Sequence, residues 1–110
     1  MPKYIIERKV SGVGQSSEDQ MREMSQKSNE ALMKLGDQVQ WLESFVTDDS
    51  TYCVYVSPNE ELIRRHAEIA GFPIDKISRV DRVIDPSTAE AENMSRMAGK
   101  EKFSEKIMRQ

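Results

Sequence analysis

The chain has 110 residues, with 16 basic against 19 acidic side chains and a net charge of −3, which is the size of one domain. Hydrophobic residues make up 37% of it and mean hydropathy is −0.67; no apolar run is long enough to span a bilayer and the N-terminus lacks a basic-then-apolar leader, so a cytoplasmic protein is expected. One cysteine, Cys53, leaves no intrachain disulfide, and with one histidine, His66, a single chain lacks the Cys/His set of a structural zinc site.

Lys3 to Lys9 brings β-branched and aromatic residues together and ends at Gly12-Val13-Gly14, which predicts a first strand closed by a turn. Ser17 followed by Gln20 fits a capping box, with Glu18 and Asp19 in the first turn, where negative charge suits the helix dipole. Met21, Met24, Ser28, Ala31, Leu32 and Leu35 then recur at helical spacing as one stripe that stops at Gly36, a natural C′ residue. Val39, Trp41 and Phe45, then Tyr52, Val54 and Val56, alternate with other residues on either side of Asp48-Asp49-Ser50, as two antiparallel strands joined by an acidic hairpin loop would. Ser57-Pro58-Asn59-Glu60 suggests a second helix with Ser57 as N-cap, Pro58 at the first helical position and Glu60 closing a capping box. Its stripe is Leu62, Ile63, His66, Ala67, Ile69 and Ala70, its outer face pairs Glu60 with Arg64 and Glu61 with Arg65, and Gly71-Phe72-Pro73 ends it. A last strand is expected from Lys76 to Ile84.

Strand, helix, strand, strand, helix, strand is the ferredoxin-like α+β order, two helices on one face of a four-stranded antiparallel sheet, complete within residues 1–85. A domain this small buries about 60–65% of the surface its unfolded chain exposes, and one sheet face stays uncovered. Covering that face with a second copy predicts a homo-oligomer, most simply a dimer, with Trp41, Phe45 or the tyrosines at the interface. From Pro86 the composition shifts to Ser, Thr, Ala, Glu, Lys and Met, with five basic against four acidic residues, where residues 1–85 have eleven against fifteen. Ser87 with Glu90 suggests another capping box, and Met94, Met97, Phe103 and Ile107 fit one helical stripe despite Gly99, so residues 86–110 read as a tail that docks on a protein partner or as a frayed extension.

Few residues carry chemistry. Cys53 sits mid-strand among valines and tyrosines, where a buried and inert thiol is the plain expectation, since a reactive one needs a nearby cation, helix N-terminus or metal. His66 lies on the inner stripe of the second helix, as a general base, a metal ligand or a packed helix residue with one hydrogen bond. Gly12 and Gly14 lack the third glycine of a dinucleotide fingerprint and precede an acidic helix start that repels phosphate. Glu43, Asp48 and Asp49 have no calcium-loop spacing, and a turn favours Asp for conformational reasons alone. Arg64, Arg65, Arg79 and Arg82 are balanced by acidic neighbours, and the acidic body argues against nucleic acid.

The stretch from Val39-Gln40-Trp41 through Tyr52-Cys53-Val54, Ser57-Pro58-Asn59-Glu60-Glu61-Leu62-Ile63-Arg64-Arg65-His66-Ala67 and Ala70-Gly71-Phe72-Pro73 resembles the nickel-responsive, nickel-binding small-protein family. The resemblance spans about the first 85 residues and leaves the tail outside. It implies a ferredoxin-like fold, a dimer of the α+β-barrel type, no established enzymatic activity and, in one branch, bound Ni2+. Cys53 and His66 match positions with the same residue types in that branch, which makes them the metal candidates for nickel or another divalent ion. The branch is richer in histidine, with one where Phe72 stands here and others near the first strand and at about Gln40, so this chain lacks several of the imidazoles the resemblance implies.

Three functions follow from these residues. The first is a non-catalytic, homo-oligomeric protein that binds a divalent metal or small ligand through His66 and Cys53. The second is a cofactor-independent enzyme with a pocket between sheet and helices, His66 as base and Tyr4, Tyr52, Tyr55 or Trp41 as lining. The third is an assembly protein acting through the tail.

Overall fold

A computed structural model describes residues 1–92 of the chain, so the tail stripe from Met94 to Ile107 lies outside the described residues. The elements are β1 (Lys3–Lys9), a short 3-10 turn (Val13–Gln15), α1 (Glu18–Lys34), β2 (Gln40–Val46), β3 (Ser50–Val56), α2 (Glu60–Ala70), β4 (Lys76–Val80) and α3 (Pro86–Glu92). Two compact units contain them, Met1–Val80 and the residues from Asp81 onward. The four strands form one antiparallel sheet in the order β2-β3-β1-β4, which is the ferredoxin-like α+β topology.

Pairing of β1 with both β3 and β4 sets one side chain in two to each face. Tyr4, Ile6 and Arg8 point to the helix-covered side, opposite Tyr55, Cys53 and Thr51 of β3. There Tyr4, Ile6, Cys53 and Tyr55 pack with Leu35, Val39 and Ile63 in the core. The other face carries Ile5 and Phe45, at 39% and 55% exposure, with Tyr52 and Val54 half-buried. Among the described residues no helix is long and apolar enough to cross a membrane.

The capping box of α1 forms as expected: Ser17 Oγ accepts from Gln20 N at 3.1 Å and Ser17 N donates to Gln20 Oε1 at 2.8 Å. At α2 the expected cap moves by two residues. Asn59 is the N-cap, its Oδ1 accepting from Leu62 N at 3.0 Å, because Ser57 is fully buried with its own N–H donating to Pro2 O and its hydroxyl to Asn59 O. Pro58 therefore precedes the helix. Of the two surface pairs, Glu60–Arg64 closes at 3.3 Å, and Glu61–Arg65 makes no ion pair. Strand β4 stops at Val80 and does not reach Ile84, since Val80 pairs with Lys3, the first residue of β1, and Pro2 before it has no N–H to extend the ladder. The helix after it is capped by Asp85 and not by Ser87. Pro86 occupies the first helical position, Ser87 N donates to Asp85 Oδ1 at 2.9 Å and Asp85 N donates to Thr88 Oγ1 at 3.0 Å. The Ser87 hydroxyl and backbone N–H hold the Asp85 carboxyl below its usual range.

Candidate functional site

The site is built on the helix-covered half of the sheet. Strand alternation brings Arg8 beside Thr51, with Cys53 and Tyr55 following on the same face of β3. A β-bulge between Trp41 and Glu43 then re-aims β2, so that Trp41 pairs with Tyr55 and Ser44 with Cys53. Simple alternation would put Trp41 and Phe45 on one side. The extra residue puts Trp41 inside, where its indole Nε1 donates to Ser44 Oγ at 2.9 Å, and leaves Phe45 and Tyr52 on the open face. Met21, Met24, Ser25 and Ser28 of α1 roof the space, and Phe72 and Pro73, placed by the left-handed Gly71 at the end of α2, close one end. The result is a cavity of about 120 Å³ walled by these side chains.

Among the described residues Arg8 is the one charged side chain on that wall, and it is 3% exposed. Its Nη1 donates to the Pro73 carbonyl at 2.8 Å, its Nη2 reaches Tyr55 Oη at 3.5 Å, and its guanidinium stacks over the Phe72 ring at 5.4 Å from the centroid. Among the described residues no Asp or Glu pairs with it. Burial, and then Cys53 beside it, push the Tyr55 hydroxyl above its usual range despite the Arg8 charge, so it is a neutral phenol at physiological pH. Cys53 is a free, buried thiol on the wall, its S–H donating to Thr51 Oγ1 at 3.8 Å.

His66 sits behind the wall with 0% exposure, its ring 5.1 Å from that of Tyr55 and 6.3 Å from that of Phe72. Nε2 lies 3.1 Å from Ser28 Oγ and 3.3 Å from the Ser28 carbonyl oxygen, while Nδ1 is buried with no partner among the described residues. A carbonyl only accepts, and a bare nitrogen is cheaper to bury than an unpaired N–H, so the proton belongs on Nε2. Desolvation outweighs the Ser28 carbonyl and pushes the imidazole below its usual range, which keeps it neutral at pH 7.

Of the residues singled out from the sequence, Trp41, Cys53 and Tyr55 meet on one wall, His66 backs onto Tyr55, Tyr4 lies in the core and Tyr52 points the other way. The acidic loop is structural: Asp49 Oδ1 accepts from Gly12 N at 2.8 Å and the Asp48 carbonyl from Gly14 N at 3.0 Å. Arg8 is a site residue that no motif marks, and its one signal in the sequence is the alternation of Tyr4, Ile6 and Arg8 within β1, which sets a cation on the inward face. Among the described residues no three His, Cys, Asp or Glu side chains converge as ion ligands would. Nickel takes several nitrogen, oxygen or sulfur donors in square or octahedral array, and one sealed imidazole with one buried thiol does not supply that set within a chain.

A family model described as nickel responsive protein SCO4226-like matches residues 4–80. Among solved structures, the crystal structure of SCO4226 from Streptomyces coelicolor A3(2) superposes with a TM-score of 0.64, at 19% identity over 74% of this chain and 99% of that one, a likeness of fold. No curated protein matches the chain.

Proposed function

The chain belongs to the nickel responsive, SCO4226-like protein family, and from that premise we propose a small, non-catalytic binding protein that works as a homodimer and holds a small ligand in the cavity beneath α1. The observation that carries this is the cavity itself, about 120 Å³ walled mainly by apolar side chains on regular elements, with the lone imidazole packed behind it and turned onto Ser28. An imidazole in that position has no path to a substrate proton, which favours binding over catalysis. The dimer draws its support from Ile5 and Phe45, exposed apolar side chains on the sheet face opposite the helices that a second copy would cover, with Tyr52 and Val54 half-buried on the same face.

Native mass spectrometry of protein prepared without affinity-column nickel tests both parts. The expected spectrum is an even-numbered oligomer that takes up no stoichiometric metal when nickel is added, and Phe45→Glu is expected to shift it to monomer. Stoichiometric nickel on wild type that is lost in His66→Gln would replace the small-ligand reading with metal binding. A wild-type monomer would remove the dimer.

A further inference from the structure

Resting on the cavity reading above, we infer that the ligand is a small organic anion, a monocarboxylate with an apolar body of up to about four carbons, held with its carboxylate against the Arg8 guanidinium. A guanidinium keeps its proton at any physiological pH, so burial cannot neutralise Arg8 as it would a lysine. Charges buried to this degree are ordinarily paired. Among the described residues the partners are one carbonyl, one long contact to a phenol and an aromatic face, and no carboxylate lines the cavity. Five N–H groups in a fork are matched by a single short hydrogen bond, at 2.8 Å to Pro73 O. The remaining N–H groups can donate to carboxylate oxygens, and Thr51, which pairs with Arg8 in the strand register, also lines the cavity.

The remaining wall selects the body of the ligand. Met21, Met24, Val46 and Trp41 offer apolar and adaptable surface. The volume, about 120 Å³, is smaller than the roughly 150 Å³ of an engineered cavity that binds benzene, and with the carboxylate inside it this limits the apolar part to about four carbons. A dicarboxylate would bury a second charge with no second cation. Inorganic phosphate would leave the apolar wall unfilled. Both are disfavoured against a monoacid.

The chain contains one tryptophan, and it stands on this wall, so intrinsic fluorescence reads the cavity directly. The full chain is titrated with 3-methylbutanoate, with its uncharged amide and with inorganic phosphate. Saturable fluorescence change and a raised Tm are expected with the carboxylate, at least tenfold weaker with the amide and absent with phosphate. Arg8→Met removes the charge at nearly constant length and is expected to weaken carboxylate binding at least tenfold. Ser25→Leu, which adds bulk to the cavity wall from α1 and leaves the Arg8 charge in place, is expected to abolish the response, so the test survives if the first variant fails to fold. Equal response to acid and amide would overturn the anion inference and leave the cavity reading standing. Silence towards both would overturn the two together, and a phosphate response matching the acid would reduce the site to a bare positive charge.

Discussion

Acidifying the protein from about pH 7 to about pH 5.5 should remove a defined part of its stability through one residue. His66 is the sole histidine, it is fully buried, and desolvation holds it below 6.5 in the folded state. In the unfolded chain the ring takes its proton near pH 6.5. As pH falls through that value, the unfolded state binds a proton that the folded state refuses, so stability declines and continues to decline until the depressed folded pKa is reached. A ring that stayed neutral throughout would set the upper bound, about 1.3 kcal/mol across this interval with a limiting slope of about 1.4 kcal/mol per pH unit, and the loss stops growing once the lowered folded pKa is passed. Carboxylates, which titrate near pH 4, contribute little there. The assay is urea unfolding followed by the Trp41 signal at fixed protein concentration, in wild type and in His66→Gln, whose side chain does not titrate. The expected result is a falling midpoint with unchanged m-value in wild type and a nearly flat profile in the variant. A flat wild-type profile, or the same slope in both proteins, would refute a neutral imbedded imidazole.

Two further outcomes test the frame. Gly14→Ala should cost about 1–3 kcal/mol, because a Cβ there would stand 2.7 Å from the Thr47 carbonyl oxygen and 2.8 Å from the Asp48 Cα, backbone atoms that cannot rotate aside; thermal unfolding should show a drop of several degrees, and an unchanged Tm would contradict the packing of the two loops. Asn59→Ala should cost about 1 kcal/mol through the lost α2 cap, whereas Arg64→Ala, which breaks an ion pair whose side chains are 58% and 50% exposed, should change urea stability by less than about 0.5 kcal/mol.

Local chemistry in the chain was legible where one residue type has one use. Ser17 and Gln20 bracket a helix start in sequence as they do in space, and Gly36 and Gly71 mark left-handed positions at helix ends that their φ values of 69° and 78° confirm. The order of elements followed, and with it the ferredoxin-like sheet. Where two residues compete for one role, the sequence did not decide. Ser57 and Asn59 are equally good caps, and burial of Ser57 against the chain start gave the position to Asn59. The site was harder, because it depends on which face each strand residue takes, and one bulge inverts that for half of β2. His66 and Cys53 drew attention as the rare residue types of this chain, yet the buried cation is an arginine among sixteen basic residues, distinguished by its place in the pleat and not by its identity.

That same bulge has a bearing on how copies of the chain can meet. Among the described residues β2 is an outer strand of the sheet, with one row of backbone donors and acceptors that no other strand pairs, and rows of that kind invite another strand to add, then another, without end. A kinked and locally over-twisted border is a poor template for such growth, and β4, the opposite border, is five residues long. Association across the sheet faces, by contrast, closes on itself after two copies. An irregularity of one residue in β2 thus works against open-ended fibres while leaving a finite pair available.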